Sequence, residues 1–209
     1  MEKHKQHTFK IVLTGPESTG KTALASALAE VLRTVWVPEF ARFYLAHFGR
    51  TYTRADLQTI GRGQWLWEQW YGRQAGRFLV CDTDWTVLQI WEQFRFEVPR
   101  YESHSRFKAQ VPRFPKFEKL RKSQAFAWHW QKGYGPAVPA DLYLLCAPDF
   151  PPEPDPLREN PDEREILFEW YQQLLQDMDA NFMVLWGEHP ARLEQTMVRI
   201  KKIFGNLPV

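Results

Sequence analysis

The chain has 209 residues, 44% hydrophobic and 25% charged, with a formal net charge of +2. These values describe one globular domain over residues 1–209 and exclude a disordered, collagenous or coiled-coil chain. No uncharged apolar run approaches the roughly 18 residues of a membrane span. The first seven residues lack the apolar core of a signal peptide. Cys81 and Cys146 both sit inside apolar runs. That placement predicts buried thiols in a reducing compartment, hence a cytoplasmic protein.

Residues 9–13 (FKIVL) form a short apolar run, followed by a Gly-rich turn and then Leu24, Leu28, Val31 and Leu32 on one helical face. The reading is strand, loop, helix. Residues 35–37 are a second strand, broken at Pro38. A helix over 39–48 stops near Gly49. Thr53 and Asp56 have capping-box spacing and open a helix to about Gln74, with Leu57, Ile60, Trp67 and Tyr71 on its stripe. Residues 78–81 are a third strand running into Asp82, Thr83 and Asp84, with a helix over 85–96. Residues 142–146 and 182–186 are two further strands. The last helix has Pro190 in its first turn. Each strand is apolar throughout and alternates with helices, which predicts an α/β fold: a parallel sheet of about five strands covered by helices on both faces.

Gly15, Pro16, Glu17, Ser18, Thr19, Gly20, Lys21 and Thr22 fit G-x-x-x-x-G-K-[ST] in full, with a strand before and a helix after. The two glycines let successive backbone N–H groups turn inward onto phosphate oxygens. The helix begun at Lys21 adds the positive end of its dipole. Lys21 is a mobile cation for the β- and γ-phosphates, and the Thr22 hydroxyl is a Mg²⁺ ligand. The pattern predicts ATP as the bound nucleotide, with Mg²⁺.

Ligands of an open parallel sheet sit beyond the carboxyl ends of its strands. Glu39 ends the second strand; Asp82 and Asp84 end the third. Phosphoryl transfer to a hydroxyl uses one carboxylate toward the acceptor and one toward the metal. Asp82 is the expected metal-side group. Glu39 and Arg42, one helical turn apart, are expected at the acceptor, as is Asp84. The plainer alternatives are a surface pair between Glu39 and Arg42 and a helix-capping role for Asp84.

Two stretches break the alternation. Residues 98–136 hold nine Lys/Arg against two Asp/Glu, with eight aromatics. Residues 148–164 are Pro-rich and read as a lid, with Arg158 and Arg164 placed to neutralise the transferring phosphoryl group. The alternative for those arginines is local pairing in an exposed acidic loop.

The phosphate loop, Val37-Pro-Glu-Phe-Ala-Arg42, Gly61 to Gln64, Cys81-Asp-Thr-Asp84, and Tyr143 to Glu159 stand in an order that resembles the ribosylnicotinamide kinase domains of NadR-type NAD-biosynthesis proteins and the AAA-type P-loop ATPases grouped with them. The resemblance implies phosphorylation of the ribosyl 5′-hydroxyl of a pyridine nucleoside, using ATP and Mg²⁺, on a nucleoside-kinase-like fold. It implies that Glu39 and Asp82 are the acceptor-side and Mg²⁺-side carboxylates and that Arg158 belongs to the lid. The full proteins of that family carry a nucleotidyltransferase domain before the kinase. Here about eight residues precede the first strand, so that activity is not expected. The 98–136 segment is longer than the corresponding connection in the family.

The leading expectation is a nucleoside kinase in NAD salvage. Other readings stay open beside it: an ATP-binding regulatory module, a kinase acting on another small molecule, and an enzyme or binder whose basic, aromatic 98–136 segment meets nucleic acid. No membrane partner is expected.

Overall fold

The computed structural model describes residues 7–48, 52–97, 137–151 and 163–205. The basic 98–136 segment and most of the expected lid, with Arg158, lie outside the described residues.

Among the described residues five strands form one sheet: β1 (Phe9–Thr14), β2 (Trp36–Val37), β3 (Phe78–Asp82), β4 (Leu142–Cys146) and β5 (Phe182–Leu185). Their order is β2-β3-β1-β4-β5, and every pair is parallel. Six α-helices among the described residues connect and cover them: α1 (Lys21–Val31), α2 (Phe40–Phe48), α3 (Arg54–Gly72), α4 (Trp85–Glu92), α5 (Arg164–Asp177) and α6 (His189–Phe204).

The period-2 alternation of each strand divides the core in two. Ile11, Leu13, Val80, Leu142 and Leu144 point to one face, where Leu24 and Leu28 of α1 and Ile200 of α6 close over them. Val12, Cys81, Tyr143 and Leu145 point to the other, under Ala41, Leu57, Ile60, Leu88 and Trp170 of α2 to α5. Leu13, Leu24 and Leu57 are fully buried. Each contributes about 1.5–3 kcal/mol by leaving water. The buried-on-both-faces strands explain why the sequence reads as continuous apolar runs. Cys81 and Cys146 are both buried and free. No helix among the described residues is long and apolar enough to cross a membrane.

Local signals hold where they are strong. Thr53 caps α3: its hydroxyl accepts from the Asp56 N–H at 3.3 Å, and the Asp56 carboxylate accepts from the Thr53 N–H at 2.7 Å. The same carboxylate accepts from the Tyr44 hydroxyl at 2.8 Å, tying α2 to the start of α3. The helix expected over 85–96 divides instead. Its α-helical part ends at Glu92, and Gln93–Glu97 widens into a π-helical turn. That turn delivers Phe94 against Trp170 and Phe96 against Tyr52, at ring separations of 5.5 and 6.2 Å. Tertiary aromatic contacts of this kind leave no local periodicity in the sequence.

Candidate active site

The loop after β1 turns on three residues with positive φ: Gly15 (128°), Ser18 (53°) and Gly20 (71°). At Gly15 glycine is compulsory for a second reason, since a Cβ there would lie 2.7 Å from the Cys146 carbonyl oxygen. The loop ends at the N-terminus of α1, so backbone N–H groups and the helix dipole converge on one anion-sized space. The Lys21 ammonium curls over the loop and donates to the carbonyls of Gly15 at 2.9 Å and Pro16 at 2.5 Å. The Thr19 hydroxyl donates to Pro16 O at 2.9 Å, closing the turn.

Parallel pairing of β1 with β3 brings Asp82 opposite Leu13, directly beneath this loop. Asp82 is 1% exposed. One carboxylate oxygen accepts from the Thr22 hydroxyl at 2.5 Å, and among the described residues the other is buried without a hydrogen-bond partner. Burial raises the Asp82 pKa; the Thr22 hydrogen bond and the charges of Lys21 and Arg42 offset this only in part. A hydroxyl and a carboxylate with one unused oxygen are the hard donors that Mg²⁺ takes alongside phosphate oxygens. Thr22 and Asp82 therefore fit such an ion.

Glu39 follows β2 and precedes α2, and it lines the same cleft. Burial and the neighbouring Asp82 charge raise its pKa to about 7, against the pull of Lys21 and Arg42. A carboxyl poised there accepts a proton near neutral pH.

The cleft has a volume of about 360 Å³. The loop, Glu39 and Arg42 form its polar walls; Leu45, Val87, Trp91, Phe150, Leu167 and Tyr171 form its apolar ones. Trp91 stacks on Tyr52 at 5.3 Å and 24°, and the Arg95 guanidinium lies 4.4 Å from the centre of the same Tyr52 ring. Burial and then the charges of Glu39 and Glu17 push the Tyr171 hydroxyl pKa well up. Sequence reasoning missed Trp91 and Tyr171, because an aromatic on a helical stripe looks the same whether it meets core or cleft; it also did not single out Phe150, which follows β4 at the start of the expected lid.

Two expectations change. Asp84 is not at the cleft. Thr83 adopts φ of 71°, which breaks the alternation that would have kept Asp82 and Asp84 on one side. Asp84 is fully buried and caps α4, accepting from Thr86 N at 2.9 Å, Thr86 Oγ1 at 2.6 Å and the Tyr143 hydroxyl at 3.1 Å. Lys10 lies 4.0 Å away and pairs with Glu68 at 2.6 Å. Burial alone would lower the Lys10 pKa, but Glu68, Cys81 and Asp84 outweigh it and raise it.

Arg164, expected to face substrate, is 6% exposed and straps the loop from outside. It donates to Phe150 O at 2.9 Å and Ser18 O at 3.1 Å. The reason is its position at the first residue of α5, which packs its stem into the domain. Arg192 of α6, unremarked in the sequence, does the same. It donates to Thr19 O at 2.7 Å, Ala147 O at 2.8 Å and Gly187 O at 2.6 Å, and it pairs with Asp149. Two guanidinium groups thus hold the outward carbonyls of Ser18 and Thr19.

Comparison with solved structures shows a shared fold. Sequence comparison with curated proteins finds no match. A NadR protein in complex with NR superposes with a TM-score of 0.67 at 18% identity, over 96% of this chain and 50% of that one. Thymidylate kinase from Candida albicans superposes at 0.54 and 13% identity, over 94% and 92%. Deoxyadenosine kinase from M. mycoides with bound dCTP superposes at 0.51 and 12% identity, over 93% and 100%. The chain spans about half the length of the NadR chain it matches, and at these identities the likeness is one of fold. The AAA domain family model matches residues 10–192, from the first strand through the phosphate loop to the arginine that straps it. The chain therefore belongs to the AAA domain family.

Proposed function

We propose that the chain is an ATP- and Mg²⁺-dependent kinase that phosphorylates the ribosyl 5′-hydroxyl of a nucleoside, nicotinamide riboside being the favoured acceptor, in NAD salvage. The observation that carries this reading is the shared cleft: the phosphate loop on one wall, and on another the Glu39 carboxyl with its pKa near 7. A module that binds nucleotide without transferring or hydrolysing its γ-phosphoryl group has no need of such a group. The family resemblance and the common fold with NadR and nucleotide kinases support the acceptor class.

In this mechanism the loop N–H groups and Lys21 hold the β- and γ-phosphates. Their charge builds a site for the negative oxygens of the transfer state, an effect worth about 3 kcal/mol or more per contact. Thr22 and Asp82 would hold Mg²⁺, which when bound would help neutralise phosphate charge. Glu39 orients the acceptor hydroxyl and accepts its proton. Arg42, beside Glu39 in the cleft, holds polar groups of the acceptor sugar. Trp91 and Tyr171 offer flat apolar walls to a planar base and exclude water.

The test is ADP release measured against a panel of pyridine, purine and pyrimidine nucleosides. The reading expects release that depends on a nucleoside, strongest with nicotinamide riboside, and a product carrying a 5′-phosphate. ADP release that is the same with and without every nucleoside would instead identify a hydrolysing switch.

A further inference from the structure

Glu39 immediately precedes α2, the position from which a short acidic side chain commonly folds back onto the first N–H groups of a helix. Its carboxyl lines the cleft instead. The N–H that begins the helix is satisfied from a different element: Phe40 N donates to Gln64 Oε1 of α3 at 2.8 Å. Gln64 is 5% exposed, and among the described residues its Nε2 is buried without a hydrogen-bond partner. A buried amide donor left unpaired destabilises the fold, because its desolvation is not repaid. The side chain is therefore kept in place for what its oxygen does, at a cost to stability.

The preceding residue fixes the same point sterically. A Cβ on Gly63 would lie 2.3–2.5 Å from three atoms of the Phe40 ring. The ring thus lies directly on the α3 backbone, and it also meets Trp67 of α3 edge-on at a 4.9 Å ring separation. The bare glycine sets how closely α2 approaches α3, and the glutamine sets where α2 begins.

We propose that Gly63 and Gln64 are positioning residues for Glu39: by satisfying and seating Phe40 they free the Glu39 carboxyl from helix capping and aim it into the cleft. This rests on the reading of Glu39 as the acceptor-side carboxylate. No contact to nucleotide is assigned to either residue, because neither lines the cleft.

The experiment compares Gln64→Met, which keeps side-chain length but removes the acceptor, with Gly63→Ala, which pushes on the Phe40 ring. It uses nicotinamide riboside as acceptor and a non-hydrolysable ATP analogue for binding. Each variant is expected to lower kcat about tenfold or more while the Kd of the ATP analogue stays within about threefold. Phe40→Ala removes the ring that Gly63→Ala would strike. In that background, adding Gly63→Ala is expected to lower kcat by less than about threefold, a coupling that general destabilisation does not produce. The two variants act by separate routes, so if one fails to fold the other decides.

Wild-type kcat in a folded Gln64→Met or Gly63→Ala overturns the proposal, as does an equal loss of kcat and ATP-analogue affinity. Glu39→Gln separates the two levels. If it too retains wild-type kcat, the kinase reading of Glu39 fails. If it loses turnover while the Gly63 and Gln64 variants keep theirs, only the positioning role fails.

Discussion

Replacing Glu39 with glutamine is expected to stabilise the protein at alkaline pH while it removes turnover. An ordinary glutamate titrates near 4.5, and in the folded chain burial and the Asp82 charge move Glu39 to about 7. Between those values the folded state holds a proton that the unfolded state has released. Wild-type stability therefore falls as pH rises through this window, relative to a variant with no charge to desolvate. At 1.36 kcal/mol per pKa unit, the full effect above pH 7 is about 3 kcal/mol. In a chain of this size that corresponds to about 6–12 °C in Tm. Below pH 4.5 the carboxyl is neutral in both states and the advantage vanishes. The assay is urea denaturation of wild type and Glu39→Gln at pH 5 and pH 8.5, in EDTA so that no metal ion binds Asp82. The stability gap should open between the two pH values, in favour of Glu39→Gln. A gap that is the same at both, or that favours wild type at pH 8.5, refutes the picture of a desolvated carboxyl held at the cleft for chemistry. Turnover of wild type should fall as pH drops through about 7, because the protonated carboxyl accepts no proton.

Lys21→Ala should lower kcat by about 10²-fold or more with little change in Tm, since its ammonium serves phosphate and not the core; a kcat within twofold of wild type refutes this. Asp82→Asn should reduce kcat far more than ATP affinity, and steady-state kinetics beside direct nucleotide binding separates the two. Arg192→Met strands Asp149 and three carbonyls, so a loss of about 3–5 kcal/mol in urea denaturation is expected. Gly15→Ala forces a Cβ to 2.7 Å from Cys146 O at a φ of 128°, and nucleotide affinity, read by titration, should fall by at least about tenfold.

Much of this was legible in the chain order of residues. The apolar runs at β1, β3 and β4 are readable because a strand buried on both faces admits little polar alternation. The phosphate loop is readable because its demands are local: Gly15 and Gly20 for backbone angles, Lys21 for charge, Thr22 for a hydroxyl at the first turn of α1. The Thr53–Asp56 capping box is local for the same reason. What the sequence could not assign was the direction of side chains after a single irregular dihedral, or contacts across large separations. Thr83 at positive φ sends Asp82 to the loop and Asp84 into the core, although the two carboxylates stand only two positions apart. Arg192 reaches Thr19 across 173 residues, and Gln64 reaches Phe40 from a neighbouring helix. Trp91 and Tyr171 became cleft walls because the sheet order brings α4 and α5 to the edge where β1 and β3 end. Local backbone demands write themselves into adjacent residues, whereas the facing of a side chain is settled by which elements pack against it.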